Sequence, residues 1–289
     1  MRSLAKGKML TGFRIGRNSE TRPPFAPLHW TPFHEYVARH QNCERCPLVD
    51  KWEPYFAAYH AHFSRYRNKT VVMMEVGVQS GGSILMWRWY FGEKFRYIGV
   101  DINPSAKQFT APWATIFVGD QSSAAFWDQV AKEVPEVDIL LDDGGHTMEQ
   151  QKVTFNLMFS HVKTDGIYIT EDLATSFAHR FGGVPYQSRA HPDTFLEYSM
   201  LWINWLNGYF VDGDMRRNTP SSKLSDFERK FADSVASIHY YSQLVLVEKG
   251  KMGPPSTILS GKRKIPYAET PWDGKAYPLS LTLLDREFK

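Results

Sequence analysis

From Val71 to Glu171 the chain alternates compact apolar runs with longer stretches whose apolar residues recur at helical spacing. Val71–Val76, Arg96–Asp101, Ala114–Val118, Val137–Asp142 and Ile167–Thr170 are short and largely apolar, the pattern of strands buried on both sides. Ile84–Tyr90, Ala124–Val134 and Met148–Phe159 read as the helices between them. Strands that alternate with helices predict a parallel sheet covered on both faces. Ser237–Tyr241 and Leu244–Glu248 read as a closing strand pair, which brings the sheet to seven strands. The predicted fold class is α/β: a doubly wound, mostly parallel seven-stranded sheet with a helical N-terminal extension.

Outside this pattern the chain changes character. Residues 1–28 are rich in Arg, Lys and Pro and read as an arm. Two helical stretches are expected between Thr31 and about Tyr66. In the second, Trp52, Tyr55, Phe56, Tyr59 and Phe63 fall on one face, and Pro54 suits a first turn that needs no amide donor. That aromatic stripe predicts core packing, with a lid over a site as the other reading. After Glu171 an irregular stretch runs to about Pro192. A helix is expected over Thr194–Phe210, and a polar loop over Asp212–Ser225. The predicted division is an arm with helices over 1–66, packed on the core or in an oligomer interface, an α/β domain over 67–250, and a tail over 251–289.

With 289 residues, 43% of them hydrophobic, the chain can bury one sizeable core. Its 15% aromatic content calls for a thick core, an interface or a site for flat or sugar-like ligands, and a homo-oligomer is expected. A net charge of +3 is too small to argue for nucleic acid, and the basic clusters at 215–217 and 262–264 are short. No apolar run reaches the roughly 18 residues of a membrane span, and no apolar signal-peptide core opens the chain. Cys43 and Cys46 form a lone Cys-x-x-Cys without the second pair that zinc would need. A structural or incidental role is expected for them, with no disulfide framework and a cytoplasmic location.

Chemistry concentrates at the strand ends. Glu75-x-Gly77-x-x-x-Gly81-Gly82-Ser83 ends the first strand and opens the first helix. Glycines there let a ligand approach the backbone, and a helix start offers free amides. Asp101, at the tip of the second strand, is placed to accept hydrogen bonds from ribose hydroxyls. Asp120 and Gln121, after the third strand, could read an adenine edge. The spacing is not G-x-G-x-x-G, which disfavours a dehydrogenase. An adenosine-containing ligand without a pyrophosphate fits, and S-adenosylmethionine is such a ligand.

Asp142-Asp143-Gly144-Gly145-His146 follows the fourth strand, and Glu171-Asp172 follows the fifth. Adjacent parallel strands would turn both clusters into one cleft. Asp143, Glu171 and Asp172 offer oxygen donors for Mg²⁺, a hard cation that keeps waters a substrate hydroxyl can displace. His146 is the candidate base, with Asp143 beside it in the catalytic pair. Asp142 is left between the cofactor and orientation of the histidine. The other histidines, His62 and His239 among them, are expected to be structural; His179 and His191 lie in a loop that could shape an acceptor pocket.

These motifs resemble a known family. Glu75 to Arg88, Gly119 to Ser122, Asp142 to Met148 and Ile169 to Ser176 are similar to the macrocin and mycinamicin sugar O-methyltransferases, as is Lys51 to Phe56 before the first strand. The resemblance covers roughly 50–180 and the closing strands near 237–249. It implies a Rossmann-like class I methyltransferase fold over 67–250, S-adenosylmethionine as donor, and Mg²⁺-dependent transfer to the hydroxyl of a sugar or hydroxylated natural product. It also implies Asp143, Glu171 and Asp172 as metal ligands and His146 as base. Two other functions remain open: a methyltransferase of the same fold that uses no metal, and a non-catalytic S-adenosylmethionine-binding scaffold.

Overall fold

The structure is a computed structural model that describes residues 30–185, 191–213, 218–258 and 260–261. It divides into a unit that ends at Pro254 and a second from Pro255, and every helix and strand given below lies in the first. The predicted arm over 1–28, the basic clusters at 215–217 and 262–264, and almost all of the tail fall outside the described residues.

Seven strands form one sheet: β1 (Val71–Val76), β2 (Phe95–Asp101), β3 (Ala114–Val118), β4 (Val137–Asp142), β5 (Val162–Thr170), β6 (Val235–Tyr241) and β7 (Leu244–Lys249). Their order is β3-β2-β1-β4-β5-β7-β6. Strands β1 to β5 pair in parallel, and β7 runs antiparallel between β5 and β6. This is the doubly wound sheet of the class I methyltransferases. Among the described residues seven α-helices accompany it: α1 (Pro32–His40), α2 (Tyr55–Phe63), α3 (Gly82–Phe91), α4 (Ala124–Glu133), α5 (Met148–Met158), α6 (Phe195–Leu206) and α7 (Asp226–Ser234).

Side chains alternate across a strand, so each strand feeds two cores. Val71 and Met73 of β1, Ile139 and Leu141 of β4, and Leu244 and Leu246 of β7 join α1, α2 and α3 on one face. Met74 and Val76, Leu140, and Val245 and Val247 join α4 to α7 on the other. Both cores are aromatic. Phe33 stacks on Tyr90 with centroids 4.1 Å apart in the first, and Phe155 stacks on Trp202 at 4.0 Å in the second. Much of the aromatic surplus is therefore interior packing.

The structure departs from the sequence pattern most clearly in four places, beside shifts of a few residues at other element ends. Helix α7 falls in a stretch where the pattern predicts no element. Its signal is the capping box of Ser225 and Glu228, each side chain bonding the other's backbone N–H. Strand β5 begins five residues earlier than its apolar run, because Val162 already pairs with Val137. Trp52 lies before α2 rather than on its buried face and is 53% exposed. Cys43 and Cys46 are joined in a disulfide, where no bridge is expected; the turn after α1 sets their Cα atoms 5.3 Å apart, within bridging range. Among the described residues no helix is long and apolar enough to cross a membrane.

Candidate functional site

The chain steps from β1 outward to β2 and β3, then returns to β4 on the other side of β1. Ligands of open α/β sheets lie at the carboxyl ends of the strands beside such a reversal. Gly77 leaves β1 there with φ +92°, and a Cβ on it would lie 2.0 Å from the carbonyl oxygen of Asp143. Only glycine lets the two strand ends close to this distance. Gly81, at φ +76°, turns the chain into α3.

The residues expected to face a cofactor divide into two groups. Glu75 is fully buried and accepts from Ser83 Oγ (2.7 Å), Trp87 Nε1 (3.1 Å) and Tyr97 OH (2.6 Å). Ser83 is thereby turned inward, so Glu75 and Ser83 form the floor under the glycine turn. Gln121 is also buried: its Nε2 donates to Asp142 Oδ1 (2.6 Å) and Thr154 Oγ1 (3.0 Å), and its Oε1 accepts from Gly145 N (3.0 Å). Asp101 and Asp120 lie nearer the surface. Asp101 Oδ2 accepts from the amides of Val78 and Gln79, at 2.9 and 2.8 Å, and so holds the glycine turn in shape. Asp120 caps its own turn through Ser122. Asp142 Oδ2 is buried with no hydrogen-bond partner among the described residues, and burial pushes this carboxyl up to about 7.

The acid cluster is bound up with a lysine. Lys51, buried in the segment before α2, reaches Asp143 Oδ2 within hydrogen-bond distance, Glu171 Oε2 at 3.2 Å and Glu75 Oε1 at 3.5 Å. Burial alone would lower the lysine; the charges of Asp143, Glu171 and Glu75 overcome it and hold the ammonium well above its ordinary value. Burial raises Asp143, and Lys51 opposes the rise. Burial and the neighbouring Asp143 raise Glu171 well above the carboxylate range. Helix α2 supplies two phenols: Tyr59 OH donates to Glu171 Oε1, and Tyr55 OH donates to Asp172 Oδ1 at 2.9 Å. Asp172 stands in the left-handed region with φ 57°, as does His146 with φ 58°.

Asp143, His146 and Asp172 each bring a ligand atom within 4.8 Å of the other two. His146 Nε2 lies 3.4 Å from Asp172 Oδ2, while His146 Nδ1 is buried without a partner among the described residues. Glu171, expected in the same donor set, stays apart because Lys51 and Tyr59 take its two oxygens. Asp143 and Asp172 bring to this group hard oxygen donors of the kind Mg²⁺ takes. His179 opens a short turn after Asp172, and His191 touches Asp193 at 3.6 Å. The sequence does not single out Lys51 as a site residue. The helical stripe sets Tyr55 and Tyr59 on one face, but periodicity carries no sign that their hydroxyls end on acids.

Comparison with known proteins adds to this geometry. No family model matches the chain. Over 209 residues it is 31% identical to the 8-demethyl-8-alpha-L-rhamnosyl tetracenomycin-C 2'-O-methyltransferase of Streptomyces olivaceus, covering 69% of this chain and 52% of that protein. Over 214 residues it is 31% identical to the demethylmacrocin O-methyltransferase of Streptomyces fradiae, with 70% of this chain and 51% of that protein covered. The chain is a relative of the macrocin and mycinamicin type of sugar O-methyltransferase. It spans about half the length of these sugar O-methyltransferases. A solved member, the MycE methyltransferase of the mycinamycin biosynthetic pathway in complex with Mg, SAH and mycinamycin VI, superposes with a TM-score of 0.62 at 25% identity, covering 76% of this chain and 53% of that one. The Rossmann-like methyltransferase fold is thus shared with its sugar O-methyltransferase relatives.

Proposed function

We propose that the chain transfers a methyl group from S-adenosylmethionine to a hydroxyl of a sugar or hydroxylated natural product, with Mg²⁺ as cofactor. The observation that carries this reading is the convergence of Asp143, His146 and Asp172 at the ends of β4 and β5, beside the glycine turn after β1. Its relatives are sugar O-methyltransferases, and the solved relative holds Mg and SAH, the demethylated product of that donor.

An alcohol is too weak an acid to attack unaided, and a Mg²⁺ held by Asp143 and Asp172 would lower its pKa. The chain's own residues do the rest. Asp172 beside Nε2 of His146 favours the tautomer with the proton on Nε2, which leaves Nδ1 to accept the hydroxyl proton. The oxygen bonds to the methyl carbon as the carbon–sulfur bond breaks, the electron pair stays on sulfur, and the proton goes to His146. Gly77, Gly81 and Asp101 shape the cofactor turn; Asp120 flanks it and Gln121 braces Asp142. Lys51 and Tyr59 hold Glu171 behind the donor set.

The test is methyl transfer from S-adenosylmethionine to a panel of glycosides, read by mass spectrometry. His146→Ala should bind the cofactor as the parent does and turn over about 10²-fold slower or worse. Chelation should abolish transfer and Mg²⁺ restore it. Unaltered turnover in the variant removes His146 as the base. A second reading, transfer without metal, is favoured by the Lys51 ammonium already seated among three carboxylates. Full activity after stringent chelation, lost in Lys51→Met, would establish it in place of the first.

A further inference from the structure

Away from the methyl-transfer site, the last turn of α2 leans on the β6–β7 hairpin at the edge of the sheet. Three side chains meet there: His62 from α2, His239 from β6 and Glu248 from β7. Each offers one ligand atom, and these atoms lie within 4.8 Å of one another. His62 Nδ1 is 3.0 Å from Glu248 Oε1, and His239 Nε2 is 4.0 Å from Glu248 Oε2. The two imidazole rings have centroids 4.5 Å apart. In a tetrahedral zinc site with bonds of about 2.0–2.1 Å, neighbouring ligand atoms are about 3.3 Å apart. The two histidines lie on either side of that value from the two oxygens of the Glu248 carboxylate, and all three ligand atoms already lie within 4.8 Å of one another.

We propose that His62, His239 and Glu248 form a binding site for a zinc-class divalent transition-metal ion, which ties the end of α2 to the β6–β7 hairpin. Two imidazoles and one carboxylate suit a borderline ion such as Zn²⁺, whereas Mg²⁺ takes oxygens. Tyr241 OH lies 2.8 Å from His62 Nε2 and supplies an outer hydrogen bond, while Ser237 Oγ, 2.9 Å from His239 Nε2, is a contact the ion would displace. A metal on His62 Nδ1 replaces the proton shared with Glu248, and the Nε2–H then donates to Tyr241. Arg65 contacts Glu248 Oε1 at 3.3 Å and Ser237 Oγ donates to Oε2 at 3.4 Å, so the longer Ser237 contact is the one the ion would replace. Three protein ligands leave a fourth position for water. Because Tyr55 and Tyr59 of the same helix contact Asp172 and Glu171, such a clip would also steady the donors beneath the acid cluster.

The test uses the full chain without a histidine tag, stripped of metal and titrated with Zn²⁺ by calorimetry and with Co²⁺ by visible absorption. The parent and Asp143→Asn should both bind and give the intense spectrum of a tetrahedral Co²⁺ complex. His239→Ala and the milder His239→Gln should bind at least tenfold more weakly, and Zn²⁺ should raise the melting temperature of the parent but not of either. Circular dichroism of the metal-free variants checks that they fold. The proposal is overturned if the parent binds no Zn²⁺, if both His239 variants bind as the parent does, or if Asp143→Asn abolishes the signal.

Discussion

Asp142 and Lys51 show burial winning at one residue of this site and losing to neighbouring charge at another. Asp142 holds its proton up to about pH 7 against an ordinary value of 3.8, chiefly because it is buried with one oxygen unpartnered. Between those values the folded chain keeps a proton that the unfolded chain has lost. Native stability therefore falls as pH rises through that window and levels off above it. Asp142→Asn keeps an acceptor for Gln121 and removes the charge. Its advantage over the parent in urea unfolding should be small near pH 4 and grow toward pH 8, to at most about 4 kcal/mol. A difference that stays flat across the range would mean that Asp142 is ionised in the folded chain throughout. Position 142 stood out in the sequence as an acid ending an apolar strand, and the structure shows it buried there. Lys51 did not stand out: its partners lie 92 and 120 residues away in sequence, at Asp143 and Glu171, and only the fold brings them together.

Among the elements, those with a strong periodic signal were readable to within a few residues. Strands β1, β3 and β4 coincide with their apolar runs, and α4 and α5 each stop one residue short of expectation. Helix α6 ends at Leu206 rather than Phe210, where Asn207 caps it and the chain turns. Helix α7 escaped because its composition is polar, and the two buried residues of its nine, Phe231 and Ala232, make a narrow stripe. Its start rests on the reciprocal bonds of Ser225 and Glu228. Ser225→Ala should cost about 1 kcal/mol in chemical denaturation with little change in the denaturant slope. A loss well under that figure would show that tertiary packing of Phe231 alone fixes the helix.

At the level of the whole molecule, the sheet separates two aromatic cores that share no side chain. Phe33, from the segment before the first strand, is fully buried among α2 and α3, while Trp202 is fully buried among α5, α6 and α7. Truncation of either to Ala should cost about 3–5 kcal/mol. Because the sites lie on opposite faces, the double variant should lose the sum to within about 0.5 kcal/mol. A large interaction energy in that cycle would show that the two faces yield together through the sheet. The near-continuous apolar runs of the strands, which require cover on both sides, made both faces readable in advance. The partner of the β6–β7 edge was not, since His62 and His239 look like isolated surface histidines until α2 is laid against the hairpin.

His146 and Asp172 both hold backbone angles that side chains other than glycine adopt with difficulty. Each such angle costs on the order of 1–3 kcal/mol, carried by the rest of the fold. Glycine at either position would relax the chain at the expense of the imidazole or carboxylate that the proposed reaction uses, so stability and the proposed chemistry pull these two positions in opposite directions.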